Sequence, residues 1–318
     1  MRWPALLMLQ FMLSLAACAP SVQEMGPAVQ SPALTDEAYV AADGARLPLK
    51  HWPANPHTRA VVLALHGFND YGNAFAAPAA WWAKHGIATY AIDQRGFGAA
   101  PQPGIWAAPE TLVADARGAL TALRARHPDT PVYLLGDSMG GAVSILALAD
   151  GEAHADGLIL AAPAVWGGKE MNPLFRAGIW FMAHTTPWNH ATGGGLRRIP
   201  SDNIEMLRAL GRDPLVIKRT RVDAVYGLTQ LMGRAQAAAG GVSVPVLLLY
   251  GERDEIVPPG PVAAMAAKLD APNRTIRYPE GYHMLLRDLQ AETVWRDVAG
   301  WIAAQRASAS ATSPDTRR

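Results

Sequence analysis

Three side chains able to carry acyl transfer follow one another along this chain as Ser138, Asp254 and His283. Ser138 lies in VYLLGDSMGGAV (132–143), where Gly136-Asp137-Ser138-Met139-Gly140 fits G-x-S-x-G. A serine on a tight strand-to-helix turn takes a strained backbone conformation, and side chains two residues away on either side would collide with neighbouring chain. The glycines relieve that collision, and Gly141 adds room. The five-residue pattern is weak by itself, because a serine after a strand can simply cap the next helix. It gains force from its setting, an apolar run before it and the helical run AVSILALA after it.

A serine hydroxyl is a poor nucleophile without a base, and the base needs an acid to orient it. When the serine sits on such an elbow, the partners follow in the order acid, then histidine. Asp254 occurs in LLLYGERDEIVP (247–258), at the end of a long apolar run, and His283 in RYPEGYHMLLRD (277–288), just past the final strand candidate RTIRYP. Glu252 and Glu255 are rival acids, but Asp254 sits deeper in its loop and precedes the Ile256-Val257-Pro258 turn. Asp254 as a helix cap or surface charge, and His283 as a buried structural residue, are the plainer readings. The chain order and the shared position at strand ends favour the chemical ones.

Acyl transfer also needs donors aimed at the developing oxyanion. The backbone N–H of Met139, directly after the serine, is one candidate. The other is the N–H of Phe68 in ALHGFNDYGNAF (64–75), where Gly67 permits close backbone approach. His66 is read as a buried residue tying loops together. His51, His57, His127 and His154 fall in hairpin, loop or helix-end settings, and His85 closes a helical pattern. His184 and His190 suit packing better than substrate contact. No histidine pair has metal-ligand spacing with a nearby carboxylate, so no metal site and no cofactor are expected.

These residues require a scaffold that brings distant loops to one edge. AVVLALHG, IATYAIDQRG, PVYLLGDS, GLILAAPA and VPVLLLYGERD are near-continuous apolar runs ending in glycine- or acid-bearing loops. Such runs suit parallel strands buried on both faces. Helical patterns between them, such as ETLVADARGALTALRARH, imply an α/β fold with chemistry at the carboxyl ends of the strands. EAYVAADGARLPLKHW reads as a hairpin turning at Asp43-Gly44. From about 166 to 240 no comparable strand occurs; a Trp-, Met- and Phe-bearing stretch and an Arg-rich helical one suggest a helical lid insertion. Within it, Leu174, Phe175, Ile179, Trp180, Phe181 and Met182 are candidates either to line an acyl-chain tunnel or to form a lid face that opens against lipid. Helix packing explains them equally well.

The chain has 318 residues, half of them hydrophobic and 17% charged, enough for a sizeable core. Its formal charge of +1, with no basic stripe, gives no support to nucleic-acid binding. MRWPALLMLQFMLSLAAC (1–18) reads as a targeting segment with a short positive start, an apolar run too short to span a bilayer comfortably, and small residues at its end. Leu15-Ala16-Ala17-Cys18 resembles a bacterial lipobox, which would make Cys18 the lipidated first residue; an ordinary secretory signal with a chance cysteine is the alternative. Removing residues 1–17 takes away Arg2 and leaves 27 basic against 27 acidic residues. Cys18 is the only cysteine, so no internal disulfide is possible. Residues 19–36, with three prolines, read as a flexible tether, 37–304 as the folded domain and 305–318 as a disordered tail.

Taken together, LHGFNDYGNAF, AIDQRGFG, LLGDSMGGAV, LLLYGERDEIVP and PEGYHMLL resemble the α/β-hydrolase superfamily, and within it the monoacylglycerol lipase and lysophospholipase group of serine hydrolases. The resemblance spans residues 61 to about 288. It implies a mostly parallel central sheet with helices on both faces and a helical lid. It implies too that Ser138, Asp254 and His283 are nucleophile, acid and base, with Phe68 and Met139 as oxyanion donors. Two positions depart from the pattern: Asp137 and Phe97 stand where many relatives have histidine.

The expected activity is hydrolysis of monoacylglycerol or lysophospholipid-type esters through an acyl-enzyme on Ser138. A prolyl-type serine peptidase and an acyltransferase on the same fold are the alternatives, and a non-catalytic binding lipoprotein is a more distant one. The expected location is the bacterial cell envelope, with Cys18 lipidated and anchored in a membrane that faces the periplasm or belongs to the outer membrane.

Overall fold

The computed structural model describes residues 19–191 and 198–312, with side chains through 308. The targeting segment and Cys18 lie outside the described residues. The chain begins with two short strands, β1 (Val22–Gln23) and β2 (Ala33–Leu34), followed by the hairpin β3 (Ala38–Val40) and β4 (Arg46–Trp52). The hairpin turns at Asp43-Gly44, where Gly44 has φ 83°. Next come β5 (Ala60–Leu65), α1 (Ala76–Ala83), β6 (Ile87–Ile92), β7 (Trp106–Ala107), α2 (Pro109–Arg126), β8 (Val132–Asp137), α3 (Met139–Leu148) and β9 (Gly157–Ala161). The lid insertion supplies α4 (Pro173–Thr185), β10 (His190–Ala191), α5 (Ile204–Arg212), β11 (Thr220–Arg221) and α6 (Val222–Ala238). The chain closes with β12 (Val246–Gly251), α7 (Pro259–Ala266), β13 (Asn273–Tyr278) and α8 (Ala291–Thr312).

Nine strands form the main sheet in the order β13-β12-β9-β8-β5-β6-β4-β3-β2. From β13 to β6 every pairing is parallel, and β4, β3 and β2 extend the sheet antiparallel. β5, β6, β8, β9 and β12 are buried along their whole length, which is why they read as unbroken apolar runs. The pleat divides their side chains. Val61, Leu63 and Leu65 enter a core with residues of α2, α3, α6 and α7, whereas Ala60, Val62 and Ala64 pack with residues of α1 and α8. The fold is therefore an α/β-hydrolase with helices on both faces.

Three sequence-based expectations need correction. The stretch 19–36 is not a free tether: β1 pairs with β7, β2 pairs with β3, and the buried Gln23 amide donates to the carbonyls of Gln102 and Ile105. Alternating apolar and extended residues between the prolines can join ladders that local composition does not reveal. The stretch 305–318 is not all tail, because α8 continues to Thr312 through an alanine-rich segment of good helix formers. The insertion, expected to be helical, also contains the β10–β11 antiparallel pair. Its last helix belongs to the body of the protein, since Leu231 and Ala235 of α6 are fully buried in the core.

Candidate active site

The register of the parallel strands assembles the site. Leu65 pairs with Gly136 across β5 and β8, and Asp137 pairs with Ala161 across β8 and β9. The loops following β5 and β8 therefore meet at one edge. Ser138 sits in the turn between β8 and α3 at φ 51°, ψ −112°, a conformation that side-chain-bearing residues seldom adopt. Its N–H donates to Ala161 O and its carbonyl accepts from Ala164 N, both at 2.9 Å, which holds the strained residue in place. The steric need for glycine is severe. A Cβ on Gly136 would lie 2.4 Å from Gly140 O, and one on Gly140 would lie 2.0 Å from Leu65 O.

His283 and Asp254 complete a hydrogen-bonded relay. His283 Nε2 lies 2.9 Å from Ser138 Oγ, and Nδ1 lies 2.8 Å from Asp254 Oδ2. Asp254 Oδ1 accepts from the N–H groups of Ile256 and Val257 at 2.7 and 2.9 Å, leaving Oδ2 for the imidazole. An acid so held fixes the tautomer with a proton on Nδ1 and leaves Nε2 to accept the serine proton. Burial disfavours the imidazolium, but the hydrogen bond and charge of Asp254, with the charge of Asp137, outweigh it and raise the His283 pKa above its ordinary value. Glu252 and Glu255 take no part in the relay; Glu255 accepts from Ile199 N in the lid.

The loops carrying acid and base are locked together and to the lid. Arg253 N donates to Gly281 O, and a Cβ on Gly251 would lie 2.4 Å from that oxygen. Beyond His283, Asp288 accepts from the buried Ser201 hydroxyl at 2.6 Å and from Tyr282 N at 2.8 Å, while Met284 N donates to Pro200 O.

Phe68 and Met139 both come to the serine. A Cβ on Gly67 would stand 3.3 Å from Ser138 Cβ, so the loop carrying Phe68 N–H lies directly against the elbow. Met139 is the first residue of α3, where a backbone N–H has no partner within the helix. His66 is neutral and structural. Its Nε2 accepts from Gln94 N, its Nδ1 donates to Gly67 O, and burial lowers its pKa. It ties the loop after β5 to the loop after β6, as read from the sequence. Phe97 packs edge-on against both His66 and Phe68, so an aromatic wall backs the Phe68 turn. Arg95, two residues before Phe97, bridges Asp43 and Asp115 in a buried network.

A cavity of about 360 Å³ opens over Ser138. Its apolar walls are Phe68, Trp166, Leu228, Met232, Ile256 and Met284, and Asp70, Asp137 and Arg287 give it a charged end. Arg287 pairs with Asp70 at 2.5 Å. Asp137 lies in the cavity wall, and burial holds its carboxyl up at about 6, opposed by Arg287 and His283 and aided by Asp70 and Asp254. Of these three charged residues, Asp137 stands out in the sequence as a departure from the family pattern, whereas Asp70 and Arg287 were missed. Asp70 was legible only as a residue of the glycine-bearing turn after β5, and Arg287 only as the residue four places beyond His283.

The α4 residues stand apart from the cavity over Ser138. Leu174, Phe175, Trp180, Phe181 and Met182 are exposed, and none lines the cavity; Ile179 is buried. The helix packs through Ile179 and Ala183, and side chains elsewhere on an amphipathic helix point away from the body. Among the described residues no group of three His, Cys, Asp or Glu could hold a metal ion, and no helix is long and apolar enough to cross a membrane.

Human monoglyceride lipase is 25% identical over 281 residues, covering 86% of this chain and 92% of its own. The monoacylglycerol lipase of Mycolicibacterium smegmatis is 23% identical over 284 residues, covering 84% and 96%. The crystal structure of a soluble variant of Saccharomyces cerevisiae monoglyceride lipase, in complex with a substrate analogue, superposes with a TM-score of 0.72 at 19% identity, covering 90% of this chain and 99% of that one. The family described as "Serine aminopeptidase, S33" matches residues 56–290, which contain the elbow, the relay and the lid, and the chain belongs to that family of α/β-hydrolases as a serine hydrolase.

Proposed function

We propose that the chain hydrolyses monoacylglycerol or lysophospholipid-type esters through an acyl-enzyme on Ser138. The observation that carries the reading is the Asp254–His283–Ser138 relay opening into a mostly apolar cavity. In the acylation step Ser138 Oγ attacks the ester carbonyl carbon while His283 Nε2 takes the hydroxyl proton. The N–H groups of Phe68 and Met139 stabilise the tetrahedral oxyanion. The intermediate collapses by breaking the ester C–O bond, and His283 returns its proton to the departing alcohol. Water activated by the same imidazole then attacks the acyl-enzyme, releasing the carboxylic acid and restoring the serine. A cavity of about 360 Å³ lies within the usual range for small-molecule sites, roughly 300–1,000 Å³.

A fluorophosphonate probe should label wild type and leave Ser138→Ala unlabelled; persistent labelling would remove Ser138 as nucleophile. A substrate series should show turnover of p-nitrophenyl esters, monoacylglycerol or lysophospholipid. Cleavage of aminoacyl amides without ester turnover would instead select a peptidase. The same reading includes lipidation of Cys18 and attachment to the bacterial envelope. Mass spectrometry of the mature N-terminus should find the acyl groups, and Cys18→Ser should lose them.

A further inference from the structure

The turn that carries Phe68 is held from the lid, and the hold reaches the donor through one residue. Asp70 N donates to Gly67 O at 3.2 Å and closes the turn Gly67-Phe68-Asn69-Asp70. Asn69 takes the third position at φ 66°, in the left-handed region. A turn of that hand prefers glycine or asparagine there, because other side chains crowd the backbone. The same Gly67 carbonyl lies 2.8 Å from His66 Nδ1 and accepts its proton. In a trans peptide the carbonyl and the following N–H point in opposite directions, so pinning Gly67 O fixes the direction of the Phe68 N–H.

The ties that fix Asn69 come from the insertion. Asn69 Nδ2 donates to Thr220 Oγ1 at 2.7 Å across 151 positions, and Asn69 O accepts from Ile217 N at 3.0 Å. Asn69 Oδ1 is buried with no hydrogen-bond partner among the described residues, so the bond to Thr220 is the polar tie of this side chain there. A half-satisfied buried amide costs the fold stability, and its retention calls for a reason. Two residues on, Tyr71 OH donates to Asp213 Oδ2 at 2.7 Å. Residues 213–220 thus grip the turn on both sides of Asp70. Thr220 is itself placed by β11, where it pairs with Ala191 of β10.

We infer that Asn69 is a positioning residue for acyl transfer: its left-handed backbone and its bond to Thr220 hold the Phe68 N–H on the developing oxyanion, which makes segment 213–220 of the lid part of the oxyanion hole. The inference rests on the proposed oxyanion role of Phe68 and holds for whichever acyl group Ser138 accepts. Asn69 touches no reacting atom and acts through the turn. Without its bond the Phe68 N–H is still present, but free to swing from its aim. Such a donor counts where charge develops, so the effect falls on kcat and on tetrahedral adducts rather than on substrate binding. His283 and Asp254 lie in other loops and keep their hydrogen bond.

The test measures turnover of a soluble p-nitrophenyl ester by Asn69→Ala, Thr220→Val and Thr220→Ser. Removing an oxyanion donor outright costs roughly 10²–10³ in kcat, and a misaimed one should cost less. Asn69→Ala and Thr220→Val should lower kcat about 10- to 100-fold, with KM within about threefold of wild type and the acidic limb of the pH profile in place. Thr220→Ser keeps the hydroxyl and should recover most of the loss seen in Thr220→Val. A trifluoromethyl ketone gives the second readout. Ser138 Oγ adds to its carbonyl carbon, the serine proton passes to His283, and the new alkoxide sits where the oxyanion forms. Its inhibition constant should rise in Asn69→Ala and Thr220→Val by the factor that kcat/KM falls. Thr220→Val with kcat within about threefold of wild type overturns the inference, whatever Asn69→Ala does to folding. A fall in kcat without loss of ketone affinity overturns it too, as does a loss that Thr220→Ser shares in full. If wild type turns over no ester, the ester-hydrolase reading fails instead, and the ketone affinities alone decide the role of Asn69.

Discussion

Asp137→Asn tests the electrostatics of the site through two independent readouts. The wild-type carboxyl is buried beside Ser138 and titrates at about 6, against an ordinary value of 3.8. A folded-state pKa raised in this way means that the native protein binds the proton more tightly than the unfolded chain. The ionised group therefore costs stability as pH rises from about 4 to about 6, and the cost is complete above that. A difference of about two units corresponds to about 3 kcal/mol. Asparagine carries no charge at any pH, and its own packing and hydrogen-bonding cost is independent of pH. The stability of Asp137→Asn relative to wild type should thus improve by up to about 3 kcal/mol between about pH 4 and about pH 7.5, read from urea midpoints at both. The second readout is kinetic. The Asp137 charge helps to raise the His283 pKa, and catalysis needs that imidazole neutral. The acidic limb of kcat/KM for a soluble ester should therefore move to lower pH in the variant. A relative stability flat with pH, or an acidic limb that stays in place, would refute the argument.

Asp254→Asn should lower kcat for soluble esters by about 10⁴-fold with little change in unfolding midpoint, because the amide cannot hold the imidazole in the required tautomer; a loss below about tenfold would show that another group orients His283. Arg95→Leu should destabilise the fold by about 3–5 kcal/mol at neutral pH, since Asp43 and Asp115 would lose their shared buried cation. Arg95 holds the Asp43 carboxyl down at about 2, a contribution present above the ordinary aspartate value and lost as pH falls through about 2. The gap between Arg95→Leu and wild type should accordingly narrow in acid, measured by urea unfolding; a gap that stays constant from neutral pH into acid would exclude the charge network as its source.

The features legible in the sequence were local or periodic. The apolar runs became the five fully buried parallel strands, because a strand covered on both faces must be apolar at every position. The elbow was legible because the clashes that demand Gly136 and Gly140 arise within a few residues of Ser138 and at the neighbouring strand end. Asp254 was legible because it follows the apolar run of β12 into a loop, and His283 because it follows the last strand candidate; parallel strands deliver such loops to one edge. The tertiary structure decided the rest through contacts between residues far apart in the chain. Ser21 meets Asp223 across 202 positions, and Arg287 meets Asp70 across 217. No local pattern announces such pairs, so the tether reading of residues 19–36 and the missed charged end of the cavity share one cause. The lid shows the same limit. Periodicity marks α4 as amphipathic, but the body it packs on determines that Ile179 turns inward while Leu174 and Phe181 face outward.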